Sequence, residues 1–105
     1  MANTDKKDGF TAVPNKIFDA VLAQRLTSAQ TKALLYIIRY TIGYQRPDAW
    51  ISISKMANET GYTRRAMIGA VHDLNKMGII KMGQIRSGCA TSMFVNDPSY
   101  WDRNL

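Results

Sequence analysis

The sequence has 105 residues, 46% of them hydrophobic and 21% charged, which predicts one folded domain rather than a disordered chain. The 14 Lys and Arg residues against 8 Asp and Glu residues give a net charge of +6, which favours a polyanionic partner such as DNA, RNA or a membrane. A single cysteine and a single histidine exclude an intrachain disulfide and metal sites built from several cysteines or histidines.

The N-terminal segment is polar, and residues 1–9 are predicted to form a flexible arm ahead of a domain that covers residues 10–105. The arm lacks the apolar stretch of a secretory signal. No apolar run approaches the roughly 20 residues that a bilayer-spanning helix needs. We therefore expect a cytoplasmic protein without a membrane partner, in which Cys89 stays reduced.

A first helix is predicted over about residues 15–24. Ile17, Val21 and Leu22 lie near one another on one of its faces, which is typical of a helix that packs on a core. Phe10, at the end of the arm, is expected to be the first side chain that anchors the chain in that core.

The second helix carries the clearest start signal. Thr27 and Gln30 have the spacing of a capping box, in which each side chain accepts a hydrogen bond from the backbone of the other residue. The helix is predicted to run to about Ile42 and to stop at Gly43 in the left-handed conformation. Because it is apolar over a wide arc, we expect it to be the central helix.

The middle of the chain predicts a short strand followed by a short helix. The strand covers residues 50–53, and either Ser52 or Ser54 can cap the helix after it. This helix is predicted to end near Thr60, with Gly61 as its C-terminal residue.

The next helix is predicted from Arg64 to about Met77, with Thr63 as its cap and Gly78 as its stop. Four of its apolar residues recur at the spacing i, i+3, i+4, i+7, which predicts one buried stripe. They are Met67, Ala70, Val71 and Leu74.

After this helix the hydrophobic pattern changes to that of strands. Residues 79–82 and 92–95 are β-prone and have glycine and serine between them, which predicts a β-hairpin with a flexible tip. The tail is expected to leave the sheet at Pro98, and Tyr100 and Trp101 to pack back onto the body.

The order of these elements is that of a winged helix-turn-helix, a mainly α fold with a small β-hairpin. Two helices that cross after a short turn need a small residue at the crossing, a turn residue that tolerates positive φ, and an apolar anchor on the second helix. Ala57, Gly61 and Met67 supply them.

The start of the helix after Gly61 carries the strongest functional signal. In helix-turn-helix proteins this part enters the major groove, where an arginine pairs with guanine and an isoleucine packs on a thymine methyl group. Gly69 leaves a gap that would let the helix approach a backbone closely. The predicted DNA-binding set also includes one residue of the short helix that ends near Thr60 and three residues of the hairpin. This set is Lys55, Thr63, Arg64, Arg65, Ile68, His72, Lys81, Gln84 and Arg86.

Other interpretations of these residues stay open. The paired arginines can form a solvated face, although they oppose the helix dipole and an anionic partner would offset that cost. His72 can be an ordinary surface residue, and Ile68 can be a partly buried core residue. No acid–base pair, phosphate-binding loop or metal set accompanies them, so we expect neither enzymatic activity nor a cofactor.

Two stretches are specific enough to indicate a family. They are residues 9–15, GFTAVPN, and residues 35–44, LYIIRYTIGY. With residues 50–57 and 60–65, they make nearly the whole chain resemble the N-terminal domain of the phage replication protein O family, the origin-binding initiators of lambdoid phages. The helix-turn-helix portion alone is shared by many winged-helix regulators.

The resemblance implies a winged-helix domain that binds repeated double-stranded DNA sites in a replication origin, at the nucleoid of a bacterial host cell. Monomers or homodimers can fill such sites. It also implies a C-terminal region that engages the replicative helicase machinery, whereas this chain stops at Leu105; either the chain is a fragment or it does not recruit that machinery by the same route. The DNA-reading residues it implies are Thr63, Arg64, Arg65, Ile68 and His72, with wing support from Arg86.

Two other functions fit the same fold. A winged-helix transcriptional repressor would bind a promoter instead of origin repeats. A protein-interaction module would use the same surface without the steep salt dependence of phosphate contacts.

Overall fold

The computed structural model describes residues 9–44, 48–86 and 90–102. Across these residues the predicted winged helix-turn-helix, mainly α with a small antiparallel sheet, is confirmed. The elements in chain order are α1 (Asn15–Ala23), α2 (Ser28–Tyr40), β1 (Ala49–Ser52), α3 (Ile53–Thr60), α4 (Arg64–Lys76), β2 (Ile80–Arg86) and β3 (Ala90–Val95). Two short 3₁₀ turns cover Ile42–Tyr44 and Pro98–Tyr100.

Helix α2 forms the centre of the core. Its capping box is complete, since the Thr27 hydroxyl accepts from the backbone N–H of Gln30 at 3.2 Å and the Gln30 side chain accepts from the backbone N–H of Thr27 at 3.0 Å. The helix packs against α3, α4 and the sheet. Its buried side chains are Ala33, Leu34, Ile37 and Ile38. The prediction that this apolar helix is central is therefore confirmed.

The end of α2 differs from the prediction. The helix stops at Tyr40, and Gly43 lies in the following 3₁₀ turn with a backbone conformation outside the left-handed region. Glycine serves a close approach there, because a Cβ atom on Gly43 would lie 2.9 Å from the Cγ2 atom of Thr11. The helical pattern could not predict this contact, since Thr11 belongs to a distant part of the sequence.

The N-terminal part of the domain is less buried than predicted. Phe10 is 74% exposed and does not anchor the core, so that prediction is wrong. Ile17 and Val21 pack against the core as predicted, whereas Leu22 is 71% exposed. Successive residues of a helix are about 100° apart, which turns Leu22 away from the face that Val21 shares with Ile17.

Helices α3 and α4 begin and end where their local signals indicate. Ser52, rather than Ser54, caps α3 by accepting from the backbone N–H of Lys55 at 3.2 Å. Gly61 ends this helix with a φ of +78°, and Gly78 follows the end of α4 with a φ of +75°. The left-handed conformation predicted for Gly61 is therefore confirmed, and Gly78, predicted as the stop of α4, adopts the same conformation.

The sheet has the strand order β1–β3–β2. β2 and β3 form the predicted hairpin, and both strands are longer than the predicted 79–82 and 92–95. Residues 87–89 at its predicted flexible tip lie outside the described residues, as do residues 1–8 of the predicted arm.

One row of paired residues shows how far the helices cover the sheet. Ile51 pairs with Thr91, and Thr91 pairs with Ile85. These side chains are 3%, 9% and 79% exposed, in that order. The body therefore covers β1 and leaves the far end of β2 open, and that end projects as a wing.

The tail packs back onto the turn that follows α4. Trp101 is buried, and its indole N–H donates to the carbonyl oxygen of Asn96 at 2.8 Å. The Asn96 side chain in turn donates to the carbonyl oxygen of Gly78 at 2.7 Å. The predicted return of the tail is confirmed for Trp101 and wrong for Tyr100, which is 72% exposed.

An ion pair ties the tail to α1. Lys16 Nζ donates to Asp97 Oδ1, and the backbone N–H and the hydroxyl of Ser99 donate to Asp97 Oδ2 at 3.0 and 2.6 Å. These hydrogen bonds, that of Lys16 most of all, hold the pKa of Asp97 well below its usual range.

We expect Asp97→Asn to remove a pH-dependent contribution to stability. A carboxylate with a lowered pKa stabilises the fold above its unfolded pKa of about 3.9, and the contribution is lost as the pH falls through the folded pKa. The urea midpoint of the unchanged chain should exceed that of the variant at neutral pH by a small amount, because the pair is exposed. This difference should shrink steadily below about pH 4. A difference that stays constant with pH would contradict this account of the ion pair.

Gly61 and Gly78 offer a matched pair of substitutions. A Cβ atom on Gly61 would meet no atom within 4 Å in the part of the chain that the structure describes, whereas one on Gly78 would lie 2.5 Å from the carbonyl oxygen of Tyr100. Gly61→Ala should lower the free energy of unfolding by about 1 kcal/mol, the cost of left-handed backbone. Gly78→Ala should lower it by about 3 kcal/mol, because the tail must also move. Urea denaturation measures both changes, and equal losses would show that the contact with the tail adds nothing.

Candidate nucleic-acid interface

Helices α3 and α4 form a helix-turn-helix. The backbone N–H groups of Gly61 and Tyr62 both donate to the carbonyl oxygen of Ala57, at 3.0 and 3.2 Å. Ala57 is 5% exposed and Met67 is fully buried, so the small residue and the apolar anchor lie where the sequence predicts them. The turn therefore fixes the start of α4 relative to α3.

Glu59 joins α3 to the central helix. Its carboxylate accepts from the Tyr36 hydroxyl at 3.1 Å and from the Tyr40 hydroxyl at 3.5 Å, and the centroids of the two rings lie 4.7 Å apart. Burial, reinforced by the hydrogen bond to Glu59, raises the pKa of Tyr36. The phenol therefore stays protonated and donates to Glu59 throughout the physiological pH range.

Asp73, the acidic residue of α4, is also engaged by another side chain. Its Oδ2 atom accepts from the side-chain nitrogen of Gln30 at 3.0 Å. Arg64 and Arg65 are both exposed, and neither forms an ion pair with an acidic group within the described part of the chain. The start of α4 thus carries positive charge that no acidic residue in the described part of the chain pairs with.

The first turn of α4 has the predicted cap. The Thr63 hydroxyl accepts from the backbone N–H of Ala66 at 3.1 Å, and the remaining first-turn N–H groups point out along the helix axis. Arg64 reaches back to α3, where its Nε donates to the Ser54 hydroxyl at 3.2 Å. Lys55, next to Ser54, is exposed. The structure therefore brings Arg64 to the start of α3, at the residue that precedes Lys55.

One line of exposed residues runs along α4 on the side away from the core. The predicted buried stripe of α4 is confirmed, since all four of its residues are buried. The opposite side of the helix carries residues at the spacing i, i+4, i+7, i+11. They are Arg65, Gly69, His72 and Lys76, all of them exposed, and we call them the outer line.

Lys76 was missing from the DNA-binding set predicted from the sequence. The signal was present, because the helical spacing from Arg65 through His72 continues to Lys76. Ile68 lies on the flank of the outer line and is partly buried, but it does not belong to the partly buried side chains that pack on the core.

The predicted wing residues Lys81, Gln84 and Arg86 belong to β2 rather than to α4. Lys81 pairs with Phe94, so it lies on the sheet face opposite to the buried Met93. Gln84 is exposed and lies at an irregularity in β2. β2 ends at Arg86, whose side chain is outside the described part of the structure. Lys81 therefore lies on the outer face of the sheet, away from the core.

Two features are absent from the described residues. No helix there is long and apolar enough to cross a membrane. No three His, Cys, Asp or Glu side chains there come together as the ligands of a metal ion would.

Comparison with known protein families identifies the family of the chain. The sequence profile described as bacteriophage replication protein O matches residues 2–95, a span that contains the helices and strands given above. The chain belongs to this family. The resemblance inferred from residues 9–15 and 35–44 is therefore confirmed, and membership places the chain among phage replication proteins.

One relative is the DNA replication protein gp18 of Salmonella phage P22, which is 30% identical over 73 residues. These residues make up 70% of this chain and 27% of the phage P22 protein. The chain therefore spans about a quarter of the length of the curated relative that it matches.

Proposed function

We propose that the chain binds double-stranded DNA sequence-specifically at repeated sites of a phage replication origin, with the N-terminal half of α4 in the major groove. The observation that carries this proposal is the outer line. Arg65, His72 and Lys76 project from the side of a helix-turn-helix on which such domains read DNA. The family and the phage P22 relative support DNA replication as the process in which it acts.

The unbalanced charge at the start of α4 supports an anionic partner. Arg64 and Arg65 oppose the positive end of the helix dipole, which costs about 0.3–1 kcal/mol for each charge. The carboxylates of Glu59 and Asp73 accept hydrogen bonds from Tyr36 and Gln30, and neither forms an ion pair with Arg64 or Arg65 among the described residues. A phosphate near the first-turn N–H groups would interact favourably with the dipole and with both arginines.

The residues of the interface divide by their chemistry into two groups. Arg65 can pair bidentately with O6 and N7 of a guanine, and His72 lies about two turns further along the same line, so these two residues select sequence. Lys55, Thr63 and Lys76 contact phosphates, which supply affinity and fix the register of the protein on the duplex.

Flanking residues extend the contact beyond the outer line. Ile68 packs against a thymine methyl group from the side of α4. Gln84 and Arg86 belong to the projecting end of β2 and follow the flanking phosphates or the minor groove. Lys81, on the outer face of the sheet, adds to the positive field that attracts DNA rather than to direct contact.

Binding in this proposal is stoichiometric and involves no catalytic step. Copies of the domain, as monomers or homodimers, mark the repeats of the origin. In a longer protein that carries this domain, a further region would recruit other replication proteins.

Selection from a pool of random duplexes tests both sequence choice and place of action. We expect one recovered sequence to occur as closely spaced repeats in the replication region of the phage genome. Sites that lie singly over promoters would indicate a transcriptional repressor instead. Recovery of no preferred sequence, with binding that ignores added salt, would indicate a protein-interaction module.

Arg65→Ala should relax sequence choice, and Lys76→Ala should weaken every duplex about equally. Loss of the bidentate pair removes about 1–3 kcal/mol of discrimination, so the ratio of affinities for selected and scrambled duplexes should fall about 5- to 150-fold. Loss of one phosphate contact should reduce the salt slope of Lys76→Ala by about 1. Fluorescence anisotropy titrations at several salt concentrations measure both quantities.

Lys32→Ala is the matched control, because it removes one exposed positive charge from α2 instead of α4. This variant should keep the affinity ratio of the unchanged chain. If Arg65→Ala and Lys76→Ala also bind both duplexes like the unchanged chain, α4 is not the DNA-binding face and the proposal is wrong.

A further inference from the structure

Gly69 is a glycine that its own fold does not require. It lies inside α4, it is exposed, and its φ is outside the left-handed region. A Cβ atom built on Gly69 would meet no atom of the described residues within 4 Å. Gly43, Gly78 and Gly83 differ from it, because a Cβ atom there would press on Thr11, on Tyr100 or on Ser92.

Glycine at residue 69 lowers the stability of α4, and no contact among the described residues requires it. Inside a helix, glycine is less stable than alanine, because it loses more backbone freedom on folding and adds no side chain. Alanine would fit at Gly69 without displacing any described atom. The described part of the fold therefore gives no reason for glycine here, and we ask what could approach this face of α4.

The neighbours of Gly69 indicate what approaches. It lies one turn after Arg65 and just under one turn before His72 on the outer line, with Lys76 beyond. Two long polar side chains therefore flank a notch where the helix backbone itself is the surface. A flat or convex anionic partner can enter this notch while the flanking side chains reach to either side of it.

We propose that Gly69 is the point at which α4 comes closest to DNA, with base edges at the floor of the major groove lying against the helix backbone. The inference rests on the proposed function, since it assumes that α4 enters that groove. A methyl group at residue 69 would then hold the helix away from the bases. Arg65 would lose its bidentate geometry, while phosphate contacts, which tolerate small displacements, would persist.

The test combines fold stability with DNA affinity in one variant. Gly69→Ala should raise the unfolding temperature by about 2–8 °C, because a helix former replaces glycine at an unstrained site. It should weaken binding to the selected duplex about tenfold, the effect of overpacking by one methyl group, and leave binding to a scrambled duplex unchanged within about twofold. Gly69→Gln should weaken the selected duplex further.

Two more measurements separate close approach from general disturbance. Guanine N7 atoms in the selected site should be protected from methylation by the unchanged chain, and less protected by Gly69→Ala at saturating protein. Ala23→Gln is the control for Gly69→Gln, because it adds comparable bulk at an exposed position of α1. It should leave the affinities for the selected and the scrambled duplex unchanged.

The outcomes distinguish this inference from the function it rests on. If Gly69→Ala is more stable and binds the selected duplex as tightly as the unchanged chain, while Arg65→Ala loses sequence choice, the inference is overturned and the proposed function stands. If neither substitution changes binding to any duplex, both are overturned. Loss of affinity for selected and scrambled duplexes alike would also overturn the inference, because close approach to base edges affects the specific complex alone.

Discussion

Burial of one apolar stripe decides which way the functional face of this domain points. Met67 and Leu74 are fully buried, and α4 packs through this side against α2 and α3. Burying each such side chain stabilises the fold by about 1.5–3 kcal/mol, so the stripe contributes a large part of the stability expected of a small domain. A rotation of α4 about its axis would expose that surface. Arg65 and Lys76 therefore face solvent because the opposite side of the same helix is held in the core.

The contacts that orient the helix-turn-helix also shape its charge. Glu59 holds α3 to α2 through two tyrosine hydroxyls, and Asp73 holds α4 to α2 through Gln30. Neither carboxylate forms an ion pair with the arginines at the start of α4 in the described part of the chain. The positive face thus depends on where the acidic groups are bound as well as on the excess of basic residues in the sequence.

The base of the wing is fixed to the same helix. Asn75, near the end of α4, accepts from the backbone N–H of Met82 at 3.2 Å, and the backbone N–H of Ile79 donates to the carbonyl oxygen of Leu74 at 3.0 Å. The tail adds Asn96, whose side chain closes on the turn between α4 and β2. Helix and wing consequently share one rigid junction, although the far end of the wing is left uncovered by the helices.

Local signals were enough to predict the order of the elements, the caps, the left-handed Gly61 and the buried stripe of α4, because each depends on residues within a few positions of one another. Only the tertiary structure decided that Phe10 is exposed, that Gly43 makes room for Thr11, and that Glu59 is bound by tyrosines. The physical reason is the same in each case. Periodicity shows which face of a helix is apolar or charged, whereas the segment that covers that face, or pairs with that charge, comes from a distant part of the chain.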